Sequence, residues 1–199
     1  MARTLGRRTA QLHVACALVT GDPAFDPEPV TASDISRWAA RVRQDIESTI
    51  ELLATHHDAL PQDVRDLATS IEQAGPALLG RAEAWAVHPA AGVKTRYHGS
   101  YQLEQVMLVE NDFVIMDFEG EQGVALEQAR HKHSALRDVA SMLRSFDYAR
   151  TAAVAAATQH ERDMERMAPV AAAWLKSERE EFLSAYRGEA VAGGLYPDA

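Results

Sequence analysis

The segment that decides the fold begins His98-Gly99-Ser100-Tyr101-Gln102-Leu103-Glu104-Gln105-Val106-Met107 and closes on Asp117-Phe118-Glu119-Gly120-Glu121. Inside it, Gln105 to Val109 and Phe113 to Phe118 are short β-rich runs around Glu110-Asn111-Asp112. Two such runs about a turn-forming triplet predict a β-hairpin. On either side the apolar residues recur at helical spacing. The expected fold is α+β, mainly α, a helical domain with one small hairpin in its middle.

Working outward, Leu5, Thr9, Leu12, Cys16 and Val19 predict a first helix from about Leu5 to Val19. Asp22-Pro23-Ala24-Phe25-Asp26-Pro27-Glu28-Pro29 then forces an extended loop. Thr31 to Asp34 offers caps for a second helix with Ile35, Trp38, Val42, Ile46, Ile50 and Leu53 on its core face, ending at His56-His57-Asp58. Pro61 opens a third, which Gly75-Pro76 should interrupt, followed by a loop at Pro89-Ala90-Ala91-Gly92. After the hairpin, Leu136, Val139, Ala140, Leu143 and Phe146 share a helical face. A further helix is expected over about Thr151 to Met167, a last one from Pro169, and a loop or frayed end from Gly193 to Ala199. No linker divides the chain, so residues 1–199 read as a single domain.

Composition excludes several classes. The 199 residues carry a formal charge of −9, which argues against a nucleic-acid partner. Cys16 is the single cysteine, so neither an internal disulfide nor a cysteine-built zinc site can form; its place among apolar helical positions suggests a core residue. No run approaches the roughly 20 apolar residues of a membrane span, and no secretory leader is evident; a cytoplasmic location is expected. His131-Lys132-His133 places its histidines at i,i+2, where helical side chains diverge, and reads as surface rather than metal site.

A loop, a strand with an amide at its start, a turn, and a strand ending in Asp is a phosphoryl-transfer layout. There a loop aspartate accepts the hydroxyl proton, while an amide and a later aspartate hold Mg²⁺ against the phosphates. Gln105 and Asp117 supply the hard oxygen ligands that Mg²⁺ requires. The segment resembles maltokinases, sugar kinases related to aminoglycoside phosphotransferases, whose loop reads approximately His-Gly-Asp-x-His-Leu-Gly-Gln-Val before Asp-Phe-Glu-Gly-Glu. Leu5 to His13, Asp22 to Pro29, Leu136 to Ala149, Trp174 and Phe182-Leu183 also resemble that family.

The resemblance implies the helical C-terminal lobe of a protein-kinase-like fold and ATP- and Mg²⁺-dependent phosphorylation of maltose to maltose 1-phosphate, within trehalose and glycogen metabolism. It implies Gln105 and Asp117 as metal ligands, Glu119 as their acidic neighbour, and Asp138 or Arg144 as contacts to an acceptor sugar. Ion pairing among Arg137, Asp138, Arg144 and Asp147 is the plainer expectation for that helix.

The departures are specific. Ser100 stands at the position of the catalytic Asp, Gln102 at that of a histidine and Glu104 at that of a glycine. A serine hydroxyl is not basic near neutral pH, and losing a positioned acid–base group costs roughly 10²–10⁴ in rate. Four residues precede Leu5, where the family has an N-terminal lobe, and no glycine-rich phosphate loop occurs in the sequence. The isolated chain is therefore expected to lack that lobe and kinase activity, and to bind Mg²⁺ and ATP weakly if at all. The alternative is a pseudokinase-type interaction module with an apolar face suited to self-association or, by resemblance alone, to a trehalose synthase.

Overall fold

The computed structural model describes residues 1–87, 91–120, 123, 127, 130–157 and 161–196, with backbone alone for Asp63, Glu161 and Arg162. Glu121, Pro89, Ala90 and the tail Pro197-Asp198-Ala199 lie outside the described residues. The chain forms two compact units, Met1–Pro29 with Gly92–Ala199, and Val30–Ala91.

The larger unit is built on three long helices: α1 (Ala2–Cys16), α4 (Leu136–Ala157) and α5 (Glu161–Ala192). Its core joins Leu5 and Ala10 of α1 to Val139, Met142 and Phe146 of α4 and Phe182, Tyr186 and Ala190 of α5. The buried stripe of α1 is Ala2, Leu5, Gly6, Thr9, Ala10 and His13. It lies a step round from the stripe expected through Leu12, Cys16 and Val19. Val19 falls beyond the helix and is exposed, and Cys16 is half-buried, its thiol pKa pushed up by burial and by Asp138. Leu5 and Thr9 are buried as expected, and the polar His13 hides the continuation of the stripe from hydrophobic periodicity.

The hairpin forms as expected, with strands β3 (Val106–Val109) and β4 (Asp112–Ile115) in antiparallel register Val106↔Ile115 to Val109↔Asp112. Glu110 and Asn111 turn it with φ of 49° and 66°, the two left-handed residues that a type I′ hairpin requires. Asp112 thus belongs to the strand rather than the turn. Gln105 lies in a short 3₁₀ turn, Leu103–Gln105, ahead of the strand. Val106, Phe113 and Ile115 pack on the core, whereas Met107, Val109, Val114 and Met116 are exposed. A second small sheet, not expected, pairs β1 (Glu28–Pro29) with β2 (Val93–Lys94). Lys94 and Lys132 both pair with Glu28 there, so Lys132 of the His131-Lys132-His133 run is a buried anchor.

The smaller unit is a helical hairpin of α2 (Ala32–His56) and α3 (Gln62–Ala86). Thr31 and Asp34 form a complete capping box at the start of α2. Trp38 stacks on Trp85 at 6.4 Å. Ile35 and Trp38 are buried as expected, but Val42 is exposed. Helix α3 does not break at Gly75-Pro76. A proline inside a helix costs about 3 kcal/mol, and here packing on α2 outweighs it: a Cβ on Gly75 would lie 2.5 Å from Ile50 Cδ1. The His56-His57 pair bonds inside this unit, His56 to the Leu52 carbonyl and His57 to the Thr69 hydroxyl.

Two boundaries differ late in the chain. The alanine run 152–157 continues α4 instead of opening a new helix, and Pro169 lies inside α5 instead of starting it. Helix α5 ends in a Schellman cap, Leu195 N–H bonding to the Ala190 carbonyl and Gly194 N–H to that of Val191, with Gly194 at φ 75°. The cap seats Leu195 in the core, so the described part of the expected loop or frayed end, Gly193 to Tyr196, is anchored.

Candidate active site

The loop His98–Tyr101 is shaped by one buried carboxylate. Asp138, in the first turn of α4 and 1% exposed, accepts the His98 N–H at 2.7 Å and the Gly99 N–H at 3.0 Å. Gly99 adopts φ 87° at this turn, a conformation that costs little without a Cβ. Asp138 also meets His13 Nε2 at 3.2 Å, and His13 Nδ1 lies 2.9 Å from the Tyr186 hydroxyl. A carboxylate only accepts, so Nε2 carries the proton; in the neutral ring Nδ1 accepts from Tyr186. Burial and the neighbouring Tyr196 hydroxyl push the Tyr186 pKa up.

His98 couples the loop to the end of the hairpin. Its Nδ1 faces the Ser100 N–H at 3.4 Å, and its Nε2 donates to the Met116 carbonyl at 2.8 Å. Its ring contacts Tyr101 and Phe118 at centroid distances of 5.2 and 5.0 Å. Tyr101, fully buried, reaches back to α1: Thr9 donates to the Leu5 carbonyl and accepts from the Tyr101 hydroxyl, both at 2.8 Å. Burial pushes the Tyr101 pKa up to about 12. The Leu103 N–H donates to the buried Ser145 hydroxyl of α4 at 3.0 Å.

At the hairpin base the Met116 N–H donates to the Gln105 carbonyl at 2.9 Å. Gln105 Oε1 is buried and has no hydrogen-bond partner among the described residues. Such an atom costs about 1–3 kcal/mol when left unsatisfied. Asp117 follows at φ 62°, left-handed for a non-glycine residue and a conformation that clusters at functional sites. Asp117 and Glu119 are both exposed. Gln105 Oε1 and the exposed Asp117 and Glu119 carboxylates are oxygen donors of the kind a hard divalent cation takes. No cluster of three His, Cys, Asp or Glu side chains occurs among the described residues.

Ser100 opens onto a cavity of about 330 Å³ bordered by Gly99, Gln102, Arg137, Asp138, Ser141 and Arg144. Ser100, Asp138 and Arg144 are thus brought together, while Gln105, Asp117 and Glu119 do not border this cavity. Of the four residues expected to pair within α4, Asp147 does so at i,i+3, with Arg150. Arg137 stands over the Tyr97 ring and Arg144 over Tyr148. Glu104, on the 3₁₀ turn, is exposed. His13 and Tyr186 were not legible as site residues; the one signal for them was a histidine at i+4 from Thr9 on a helix facing the core.

Loop, hairpin and helical support together define a mainly helical, kinase-like lobe, and the comparisons with known proteins place it among sugar kinases in fold. The chain is similar to the glucosamine kinase of Streptacidiphilus jiangxiensis, 27% identical over 186 residues covering 94% of this chain and 37% of that protein. A glucosamine kinase solved with glucosamine, ADP and inorganic phosphate superposes with a TM-score of 0.77 at 21% identity, over 99% of this chain and 42% of the other. A second glucosamine kinase structure, crystal form B, gives 0.77 at 20% identity over 98% and 41%. The chain thus spans about two fifths of the relatives it matches. No family model matches it. The fold is sugar-kinase-like; these relatives do not single out maltose. Among the described residues no helix is long and apolar enough to cross a membrane.

Proposed function

We propose that this chain is the acceptor-binding and metal-ligating part of an ATP-dependent sugar phosphotransferase, with its catalytic base position occupied by Ser100. The observation that carries the reading is the buried Gln105 Oε1, without a partner among the described residues, at the base of a hairpin tied by His98 to the loop of Ser100. Gln105 and Asp117, with Glu119 nearby, would hold Mg²⁺. When bound, that ion neutralises charge on the transferring phosphate. His98 and Asp138 orient the loop, and the cavity beside Ser100 receives the sugar. Ser100 cannot take the acceptor hydroxyl's proton as a carboxylate does.

The 199-residue chain is expected to bind sugar without turning over. The test is calorimetric titration with maltose, glucosamine and Mg-ATP separately, with an assay for ATP-dependent sugar phosphate. Turnover by the purified chain overturns the inactive reading; absence of any sugar binding overturns the acceptor-site reading. A chimera supplying the remaining length of the Streptacidiphilus relative should gain at least 10² in rate on Ser100→Asp if only the base is missing.

A second reading, an interaction module, is favoured by the outer hairpin face, where Met107, Val109, Val114 and Met116 are each at least 36% exposed. Four adjoining apolar side chains on one strand pair suit a protein contact. Self-association is the form tested by sedimentation; a chain that stays monomeric at high concentration counts against it. A trehalose synthase partner rests on the maltokinase resemblance.

A further inference from the structure

Strand β3 offers an edge as well as a face. Its sequence, Val106-Met107-Leu108-Val109, holds no charge, proline or bulge of the kind that closes an edge to pairing. The Met116 N–H bonded to the Gln105 carbonyl sets the phase of the ladder. Successive residues of an antiparallel pair alternate in direction. Met107 and Val109 therefore turn their backbone groups toward β4, and Val106 and Leu108 turn theirs away. The Val106 N–H is taken by the Leu103 carbonyl. The Val106 carbonyl and both backbone groups of Leu108 have no hydrogen-bond partner among the described residues. Nor has β3 a strand neighbour among them other than β4. Leu108 is 52% exposed, although it shares the hairpin face that packs on the core through Val106, Phe113 and Ile115. With Met107 and Val109 exposed on the other face, the edge is open on both sides at its centre.

Two carboxylates bracket this edge. Glu104 precedes the strand and Glu110 opens the turn after it. Both are exposed, and neither side chain forms an ion pair or hydrogen bond among the described residues. A second copy of the chain fits this edge poorly. Antiparallel pairing centred on Met107 sets Glu104 of each copy opposite Glu110 of the other, and like charges directly opposed across strands are destabilising. A strand with a basic residue at each end meets both carboxylates instead, and the −9 charge of the chain favours its approach. In strand addition, main-chain hydrogen bonds supply affinity and the side chains supply specificity. We propose that the edge of β3 binds an extended segment of another protein as a third strand, apolar opposite Val106 to Val109 and with Lys or Arg at each end. The inference rests on the interaction-module reading and gives that module a class of partner.

NMR titration of the whole chain with the end-capped peptide Lys-Val-Thr-Val-Thr-Val-Lys, which sets valines beside Met107 and Val109, tests it. With the peptide bound, the Leu108 amide should exchange about tenfold more slowly. The same peptide with glutamates for its lysines should bind about tenfold more weakly, and the double variant Glu104→Gln, Glu110→Gln should weaken the lysine peptide about fivefold. Leu108→Pro removes an edge donor and no bond to β4; it should abolish binding, with its thermal melt confirming folding. A peptide N-methylated at both threonines, which lacks the donors facing β3, should not bind. Equal binding of the lysine and glutamate peptides overturns the proposal. So does tight binding of the N-methylated peptide, or binding that leaves the Leu108 amide unprotected. If the chain self-associates in sedimentation but takes no peptide, this proposal alone falls; if it does neither, the interaction-module reading falls with it.

Discussion

Asp138 accepts hydrogen bonds from two backbone amides and a histidine in a site closed to water. Asp138→Asn would turn an amide N–H₂ toward groups that are themselves donors. Stripping buried donors of their acceptor costs about 1–3 kcal/mol each, more where the lost acceptor is charged. Urea unfolding should show a loss of about 3 kcal/mol or more, in a residue whose sequence context suggested sugar contact or helical ion pairing. Asp112 makes a different prediction. The Arg8 guanidinium, bonded through Nε at 2.9 Å and also through Nη2, holds its carboxyl down from 3.8 to about 2. A depressed folded pKa contributes stability that is present above the unfolded value and lost as pH falls through the folded one. The window is therefore pH 4 down to 2, and Asp112→Asn should flatten the fall of stability across it. The pair is half-exposed, so salt should shrink the difference.

The hairpin was legible because alternating β-rich runs and an Asn-containing turn are local signals. The continuity of α3 through Pro76 was not, because the force that overrides the proline is packing against Ile50 on another helix. The later half of the buried stripe of α1 was misplaced for a similar reason: the polar partners of His13 are Asp138 and Tyr186, far along the chain. Close approach of helices is equally hidden. A Cβ on Gly6 of α1 would lie 2.3 Å from the Phe182 carbonyl oxygen of α5, whereas one on Gly188 of α5 meets nothing within 4 Å. Gly6→Ala should destabilise by about 1–3 kcal/mol through overpacking, despite a helix propensity gain of about 1 kcal/mol. Gly188→Ala should keep that gain. Thermal unfolding of the two variants should move in opposite directions, which composition alone would not foresee.

At the scale of the molecule, the mainly helical class and the loop-then-hairpin order could be read from the sequence, and the comparisons support a sugar-kinase-like fold. The site was only partly legible. Motif layout singled out Gln105 and Asp117 and the family resemblance singled out Ser100 as candidates, but the grouping of Ser100 with Arg144 around one cavity arises from helix packing. The buried triad of His13, Asp138 and Tyr186 has a consequence for how such a chain changes over generations. The loop's shape is written at positions 13, 98, 99 and 138, and the Ser100 side chain makes no hydrogen bond among the described residues. Selection for a folded protein therefore keeps the mould of the loop while remaining blind to position 100. A lineage could lose chemistry there, or regain it, without disturbing the scaffold.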